Sequence, residues 1–357
     1  QLRVAAGEPL PLRQEQLTLD GHAIEARIYA EDPDRGFLPS TGRLVHLVPP
    51  AESEHVRVDT GVEQGDEITP HYDPMIAKLI VRGPDRPTAL ARMRAALAKY
   101  RVVGVANNVE FLQRLVNAPA FVQADLDTAL IEREQSVLFP EPQPLPVEAW
   151  ALAALAELQR EARAAAATEG GRPAPWTALD GWRLNSTVRR TLTLRCGDAV
   201  QAIGVSYLPG GFELHLGGRA LEVRGDIGAS GQVHAQIGER RVSAAVVTAG
   251  ERRQVFFEGR SWPIVRVAAL QSGGGGDDQG GGFKAPMPGK VIALLAEPGQ
   301  RVDKGAPLLV LEAMKMEHTI TAPAAGVVRA FHYATGEQVG DGAELVDFQV
   351  LAAPPAA

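Results

Sequence analysis

The sequence predicts a multidomain chain with an α+β lobe, then a helix with an antiparallel β-barrel, and last a flattened β-barrel. Its 357 residues correspond to two or three domains at about 150 residues each. Two linkers divide it: alternate prolines over 140–146 and a glycine-rich run over 271–282. The segment after the second linker repeats itself at an offset of 37 residues, which indicates two copies of one β unit.

The composition excludes several classes of protein. Apolar residues make up 45% and charged residues 22%, as in globular proteins. The net charge of −7, without a basic stripe, argues against nucleic acid or an anionic membrane as the main partner. No apolar run approaches the roughly 18 residues of a membrane helix. Cys196 is the only cysteine, so no intrachain disulfide or four-cysteine zinc site can form, and we expect it to be a small buried residue.

The first domain, residues 1–140, alternates between strand and helix patterns. Apolar alternation and turn residues predict its strands, and a 3.6-residue period predicts its helices. The predicted strands are Ala23–Tyr29, Gly42–Val48, His55–Thr60 and Met75–Val81, and the predicted helices are Arg86–Tyr100, Val109–Val116 and one that opens at Pro119. The chain starts at Gln1 and residues 1–30 have the pattern of a domain interior, so we expect a truncated N-terminus.

The second domain, residues 147–270, opens with a long helix. Val147–Ala167 contains no glycine or proline and predicts one helix of about 30 Å. From Val188 to Ala268, short strand-like runs recur every 8 to 12 positions between glycine turns. This predicts a barrel of about seven or eight antiparallel strands, with the apolar side of the helix in or against it.

The third domain, residues 283–349, follows a linker whose flexible span is roughly 17–21 Å. The offset of 37 takes Gly299 to Gly336 and Leu308 to Leu345, so two similar units wrap each other as a flattened barrel. The turn between the copies places Lys315 between Met314 and Met316. An exposed methionine pair is typical of an adaptable recognition surface.

Residues 283–349 resemble a biotinyl (biotin carboxyl carrier) domain, and Glu312–Met316 matches its biotinylation motif. The resemblance implies that Lys315 carries amide-linked biotin and that a biotin protein ligase reads Met314 and Met316. Only about 0.04% of a free lysine amine is neutral at pH 7, so the ligase must supply an activated acyl-adenylate. Lipoyl domains share this architecture but usually lack the methionine pair.

Residues 1 to about 135 resemble the C-terminal lobe of biotin carboxylase. The motifs are Gly21–Pro33, Phe37–Gly42 and Tyr72–Leu79, and Asn107-Asn108 departs from the usual Thr-Asn pair. Val56–Asp59 matches the strand that carries the catalytic arginine of the family. The resemblance therefore implies that Arg57 stabilises the biotin enolate, a task suited to a permanently charged, forked donor.

The resemblance also implies where the ATP chemistry lies. In biotin carboxylases the ATP, Mg or Mn, and bicarbonate ligands precede the part that this sequence matches. The sequence contains no P-loop motif and no paired metal carboxylates. We therefore expect no metal ligands in this chain, and no ATP hydrolysis or biotin carboxylation by this chain alone.

The second domain resembles, by architecture and position, the biotin carboxylase–carboxyltransferase mediating (BT) domain of acyl-CoA carboxylase α-subunits. Pro175-Trp176 and Asp180–Asn185 are most similar to 3-methylcrotonyl-CoA carboxylase α-subunits. Barrel-edge packing is the simpler interpretation of Trp176 and Trp182. Geranyl-, propionyl- and acetyl-CoA carboxylases remain alternatives, and a non-catalytic lipoyl-type carrier on a scaffold is an alternative of another class.

The resemblance implies a C–C-bond-forming ligase. The intact α-subunit would use ATP and bicarbonate to carboxylate biotin on Lys315. A carboxyltransferase β-subunit in the same hetero-oligomer would then transfer CO2 to an enoyl-CoA, with 3-methylcrotonyl-CoA of leucine breakdown as the expected substrate. The location would be the cytoplasm in a bacterium or the mitochondrial matrix in a eukaryote.

Overall fold

The computed structural model describes residues 1–141, 143–167, 182–183, 186–187, 189–228, 230–267, 283–313, 316–340 and 342–350. The predicted linker 271–282, Trp176 and Asp180-Gly181 lie outside the described residues. The described residues form an α+β lobe, a helix inside a closed barrel, and a third unit of two four-stranded sheets. Within them, no helix is long and apolar enough to span a membrane.

The lobe is built on a small antiparallel sheet. Its helices are α1 Leu2–Ala5, α2 Arg86–Leu97, α3 Val109–Asn117, α4 Pro119–Val122, α5 Leu130–Arg133 and α6 Gln135–Leu138, with 3-10 turns at Gln14–Gln16 and Pro33–Arg35. Its strands are β1 His22–Tyr29, β2 Glu31–Asp32, β3 Leu38–Pro39, β4 Gly42–Arg43, β5 His46–Val48, β6 Val56–Thr60, β7 Glu67–Ile68, β8 Met75–Gly83 and β9 Arg101–Val103.

The central sheet of the lobe has the strand order β1-β8-β6. Ala26, Leu79 and Val58 lie side by side across it on the face that packs against the lobe core and helix α2. Because side chains alternate between the faces of a strand, Arg57 and Asp59 lie on the opposite, solvent-facing side.

Two predicted elements of the lobe differ from the structure by more than one or two terminal residues. The predicted strand Gly42–Val48 is two strands, because β4 pairs with β7 whereas β5 pairs with β9. The predicted helix Arg86–Tyr100 ends at Leu97, since residues 98–100 must turn the chain into β9. In both cases a pairing with a distant segment overrides the local pattern.

The second unit is a helix enclosed by a barrel. Helix α7 spans Val147–Ala167. A two-stranded ribbon of β10 Trp182–Arg183 and β11 Ser186–Thr187 precedes the barrel. The barrel strands are β12 Arg189–Cys196, β13 Ala199–Leu208, β14 Gly211–Leu216, β15 Arg219–Ile227, β16 Gln232–Ile237, β17 Arg240–Ala249, β18 Arg252–Phe257 and β19 Arg260–Arg266. Each strand pairs with the next, and β19 pairs with β12 to close the barrel.

Helix α7 occupies the bore of the barrel and forms its core. An eight-stranded barrel has an interior just wide enough for side chains, so a helix fits only if its own side chains are small. The buried part of α7 meets this condition with alanine at positions 149, 151, 153, 154 and 156, all 5% exposed or less. Leu152 and Leu155 fill the remaining space.

A buried ionic cluster closes the far end of this core. Glu157 and Arg253 are fully buried and paired, and Glu157 also accepts hydrogen bonds from Arg160 (2.8 Å) and Arg266 (2.6 Å). Burial by itself would raise the pKa of Glu157, but the hydrogen bonds with Arg160 and Arg253 and the charge of Arg253 outweigh it and lower the pKa to about 2. The carboxylate is therefore ionised throughout the physiological range.

The third unit has two four-stranded sheets, β20-β27-β25-β22 and β24-β23-β21-β26. The strands are β20 Phe283–Lys284, β21 Gly289–Leu294, β22 Arg301–Val302, β23 Pro307–Ala313, β24 Met316–Thr321, β25 Gly326–Phe331, β26 Gln338–Val339 and β27 Glu344–Val350. Strands β25, β26 and β27 begin and end 37 residues after β21, β22 and β23.

Hydrogen bonds between the copies follow the same two-fold relation. The amide of Gly299 donates to the carbonyl of Val328 at 2.7 Å, and 37 residues later the amide of Gly336 donates to the carbonyl of Val291 at 2.7 Å. Val291 and Val328 are both fully buried in the shared core. The two-fold rotation that places the first copy of the repeat on the second therefore also places one sheet on the other.

Candidate functional site

Arg57, the predicted catalytic residue, lies in β6 with its side chain exposed. Its Nε donates to Oδ1 of Asp59 at 2.7 Å and its second guanidinium nitrogen donates to Oδ2 at 2.9 Å. This bidentate hydrogen bond with Asp59 raises the pKa of Arg57 above its already high ordinary value. The guanidinium is therefore permanently charged and held in one orientation, with a further donor free to face a ligand.

The neighbouring strands extend this polar face. Across the sheet, Asp59 lies opposite Lys78, and Lys78 lies opposite Arg27. The Nε of Arg27 is 3.1 Å from a carboxylate oxygen of Glu25. Cations thus exceed carboxylates on this face, which suits it to a group on which negative charge develops.

A carboxyl pair at the edge of the lobe, Glu31 and Asp73, is not among the predicted site residues. Burial, followed by the negative charge of Asp73, raises the pKa of Glu31 to about 6. Asp73 in turn accepts the amide of Met75 at 3.0 Å and fixes the turn that opens β8. No sequence signal brings Glu31 and Asp73 together, because the long segment between them folds back through β3 to β7.

The asparagine pair that departs from the family motif joins α3 to the sheet. Asn108 is buried, accepts the amide of Tyr29 at 2.9 Å and donates to the carbonyl of Arg27 at 3.1 Å. The side-chain oxygen of Asn107 accepts the amide of Val109, the first residue of α3, at 3.3 Å. Asn108 therefore joins α3 to β1, and Asn107 supplies one acceptor at the start of α3.

The hairpin that bears the predicted biotinylation motif is formed by β23 and β24, whose last pair joins Ala313 to Met316. Lys315 and Met314 lie outside the described residues. Next along the hairpin, Glu312 lies opposite Glu317 on one side and Lys290 on the other. The end of the unit that bears the predicted biotinylation motif is thus charged and is formed by three adjacent strands, β24, β23 and β21.

The hairpin lies at the end of the unit opposite the last described residue. Strand β21 begins at the hairpin end, and the loop beyond its other end is bonded from Gly299 to Val328, near the start of β25. Gly326, at that start, pairs with Val350. The tip of this hairpin and the C-terminal end of β27 therefore lie at opposite ends of the two-sheet unit.

Cys196 is half-buried, and desolvation by burial raises the pKa of its thiol. A thiol in such surroundings is protonated and unreactive. Among the described residues, no group of three histidine, cysteine, aspartate or glutamate side chains is placed to hold a metal ion.

Three families match successive parts of the chain. Residues 25–133 match the biotin carboxylase C-terminal domain. Residues 146–269 match the BT domain of the methylcrotonyl-CoA carboxylase α-subunit. Residues 281–348 match the biotin-requiring enzyme family. The matches coincide with the lobe, the helix-filled barrel and the symmetric two-sheet unit.

Relatives align with the whole chain. It is 37% identical to the mitochondrial methylcrotonoyl-CoA carboxylase subunit alpha of Mus musculus over 98% of the chain, and 36% identical to that of Dictyostelium discoideum over 96%. Identity to the propionyl-CoA carboxylase alpha chain of Ruegeria pomeroyi is 32% over 98%. The chain spans about half the length of these relatives: 50%, 50% and 54%, respectively. In all three of its domains, the chain is similar to the biotin-dependent acyl-CoA carboxylase α-subunits.

Proposed function

We propose that this chain is the carrier-bearing part of an acyl-CoA carboxylase α-subunit, that Lys315 carries biotin, and that the substrate of the complex is 3-methylcrotonyl-CoA. The observation that carries the proposal is the two-fold symmetric unit 283–350, whose hairpin bears the motif at one end of a base of two four-stranded sheets. Bound biotin would supply a ureido nitrogen that accepts and releases a carboxyl group. The chain's own residues would attach, position and move it.

Each domain has a distinct part in this proposal. The lobe presents Arg57 as a fixed positive charge for an oxygen that becomes negative. The barrel, tied together by α7 and the Glu157 cluster, is the rigid base from which residues 268–282 lead to the carrier. ATP- and bicarbonate-dependent carboxylation is proposed for the α-subunit as a whole, with a carboxyltransferase β-subunit as partner.

The choice of substrate and compartment rests on the relatives. The barrel matches the BT domain of the methylcrotonyl-CoA type, and identity to the methylcrotonoyl-CoA relatives is higher than to the propionyl-CoA relative. Both methylcrotonoyl-CoA relatives are named mitochondrial. We propose the mitochondrial matrix if the chain is eukaryotic and the cytoplasm if it is bacterial.

Intact mass after co-expression with a biotin ligase tests the carrier. We expect the mass of one biotinyl group on the wild type and no addition on Lys315→Ala, with Lys290→Ala as a matched control at the same end of the unit. No addition to the wild type, or a lipoyl group in its place, would contradict the proposal and favour the scaffold alternative.

Substrate is tested separately with the full α-subunit and its β-subunit. Carboxylation of 3-methylcrotonyl-CoA should exceed that of propionyl-, acetyl- and geranyl-CoA in kcat/KM. Higher kcat/KM on propionyl-CoA would overturn the substrate while leaving the carrier assignment intact.

A further inference from the structure

The carrier unit has two ends that are almost alike in backbone. The two-fold relation places Arg301 of β22 at one end where it places Gln338 of β26 at the other. Both residues are exposed and open two-residue edge strands. Backbone shape alone does not distinguish the two ends. If only one end faces another part of the molecule, the side chains of that end must therefore account for the preference.

In the structure, the hairpin end of the carrier unit, formed by β23 and β24, faces the lobe. A cavity of about 530 Å³ separates them, lined on the lobe side by Pro70, His71 and Tyr72. On the carrier side its lining includes Lys290 and Gln338. Their two-fold counterparts, Val327 and Arg301, do not line it.

The lobe loop that faces the carrier is held in shape. Pro70 and Pro74 restrict its backbone, the Asp73 side chain accepts the amide of Met75, and the carbonyl of Pro74 accepts the amide of Ala30 at 2.9 Å. At its apex, Tyr72 is 76% exposed. An aromatic side chain with few rotatable bonds on a fixed loop offers contact area at low entropic cost.

The same loop lies beside the polar face of the lobe. It leads into β8, and near the start of that strand Ala77 pairs with Thr60 at the end of β6. Arg57 lies three residues earlier on β6. A carrier received at this loop thus has its hairpin end at the edge of the sheet that presents Arg57.

We propose that loop Pro70–Tyr72 is a docking surface on which the lobe receives the carrier unit of its own chain, hairpin end first, with His71 and Tyr72 as the positioning residues. The proposal rests on the proposed function, because a carrier that visits the lobe needs a place to be received. Lys290 and Glu312 give the carrier end one cation for the Tyr72 ring and one carboxylate for the His71 imidazole.

Disulfide trapping in the full chain tests the docking, in a Cys196→Ser background. Tyr72→Cys with Gln338→Cys should form an intramolecular disulfide at least about tenfold faster than Tyr72→Cys with Arg301→Cys, because docking raises the effective concentration of one thiol only. Equal rates for the two pairs would overturn the proposal, and so would disulfides found only between chains.

Hydrogen exchange provides a second measurement without new cysteines. Tyr72→Ala should speed amide exchange at Lys290 and Val339 at least about threefold, with no change at the counterparts Val327 and Val302. Tyr72→Phe keeps the ring and should behave like the wild type. Unchanged exchange at Lys290 and Val339 in Tyr72→Ala would count against the proposal.

Both measurements use the chain without biotin. If trapping and exchange show no docking while the separate mass measurement shows normal biotinylation of Lys315, only the docking proposal is overturned. Absence of biotinylation, in contrast, would end the proposed function whatever the trapping rates.

Discussion

Arg57 and Asp59 are two residues apart on one face of β6, and that spacing makes their side-chain pairing possible. Asp59 holds the guanidinium of Arg57 without burying it. The carboxylate of Asp59 fixes the orientation of the guanidinium, and the exposed nitrogens of Arg57 remain available to a ligand.

Replacing Arg57 tests its role. In the full α-subunit, Arg57→Gln should lower kcat for biotin carboxylation by about 10²–10³-fold, because it removes a charge that stabilises a developing oxyanion. Arg57→Lys should keep a higher rate than Arg57→Gln but a lower rate than the wild type, since an ammonium cannot make the bidentate pair with Asp59. Arg27→Gln, on the same face, is the matched control, and an equal loss there would show that only the net charge of the face matters.

Glu157 is a residue whose charge is needed by the fold. Glu157→Gln leaves the guanidinium of Arg253 buried without a counter-charge, so we expect a loss of about 3–5 kcal/mol in the free energy of unfolding of the barrel. Glu161→Gln, at the more exposed side of the same cluster, should cost much less. Urea unfolding followed by the tryptophan fluorescence of the barrel measures both.

The lowered pKa of Glu157 also predicts a pH dependence. A group whose folded pKa is depressed stabilises the fold fully above its unfolded pKa, near 4.5, and loses this contribution as pH falls towards 2. The wild-type barrel should therefore lose stability over this window, and Glu157→Gln should lose less. Parallel pH profiles of the two proteins would contradict the assignment.

Among the secondary-structure elements, strand β25 of the carrier unit approaches its neighbour β27 closely at Gly326. A Cβ on Gly326 would lie 2.6 Å from the backbone oxygen of Gln349 and 2.3 Å from the ring of Phe348. The ring could turn away, but the backbone oxygen belongs to the paired strand β27. The pairing of β25 with β27 thus requires glycine at position 326.

Gly326→Ala should therefore lower the free energy of unfolding of the carrier unit by more than about 2 kcal/mol. Gly340→Ala is the control, because nothing lies within 4 Å of a Cβ there and its backbone needs no positive φ. Calorimetry of the full chain measures the difference. A similar small effect for both variants would mean that β27 can shift at little cost.

At the scale of the whole molecule, the lobe and the barrel are joined by specific contacts as well as by the proline-rich connection. A carboxylate oxygen of Glu110 on α3 accepts the backbone amide of Ser261 on β19 at 2.7 Å. A guanidinium nitrogen of Arg101 lies 3.3 Å from the amide oxygen of Gln232 on β16. Since β19 leads towards the carrier linker, these contacts set where the tether starts relative to the polar face.

Removing the Glu110 contact should loosen this junction. In Glu110→Ala, amide exchange at Ser261 should rise about tenfold, as expected from the loss of one hydrogen bond worth about 1–1.5 kcal/mol. Glu132→Ala on the exposed side of α5 serves as the control. Unchanged exchange at Ser261 would show that the lobe and the barrel are held together by other contacts.

Several features could be predicted from the sequence because their signals are local. The absence of glycine and proline defined the helix Val147–Ala167, and the offset of 37 anticipated the matching strands of the carrier. The spacing of the glycine turns predicted a barrel of about seven or eight strands, and the structure has eight. The motifs around Arg57 and Lys315 singled out the candidate residues, since each motif is a short run of the chain.

Only the tertiary structure decided which distant segments meet. It divided Gly42–Val48 between two partner strands, ended α2 at Leu97, and brought Glu31 beside Asp73. It also paired Glu157 with Arg253 and turned the hairpin end of the carrier towards loop Pro70–Tyr72. The physical reason is common to all of these: periodicity and turn residues act over a few positions, whereas strand pairing, buried charge and domain contact depend on groups that the chain separates by tens to hundreds of residues.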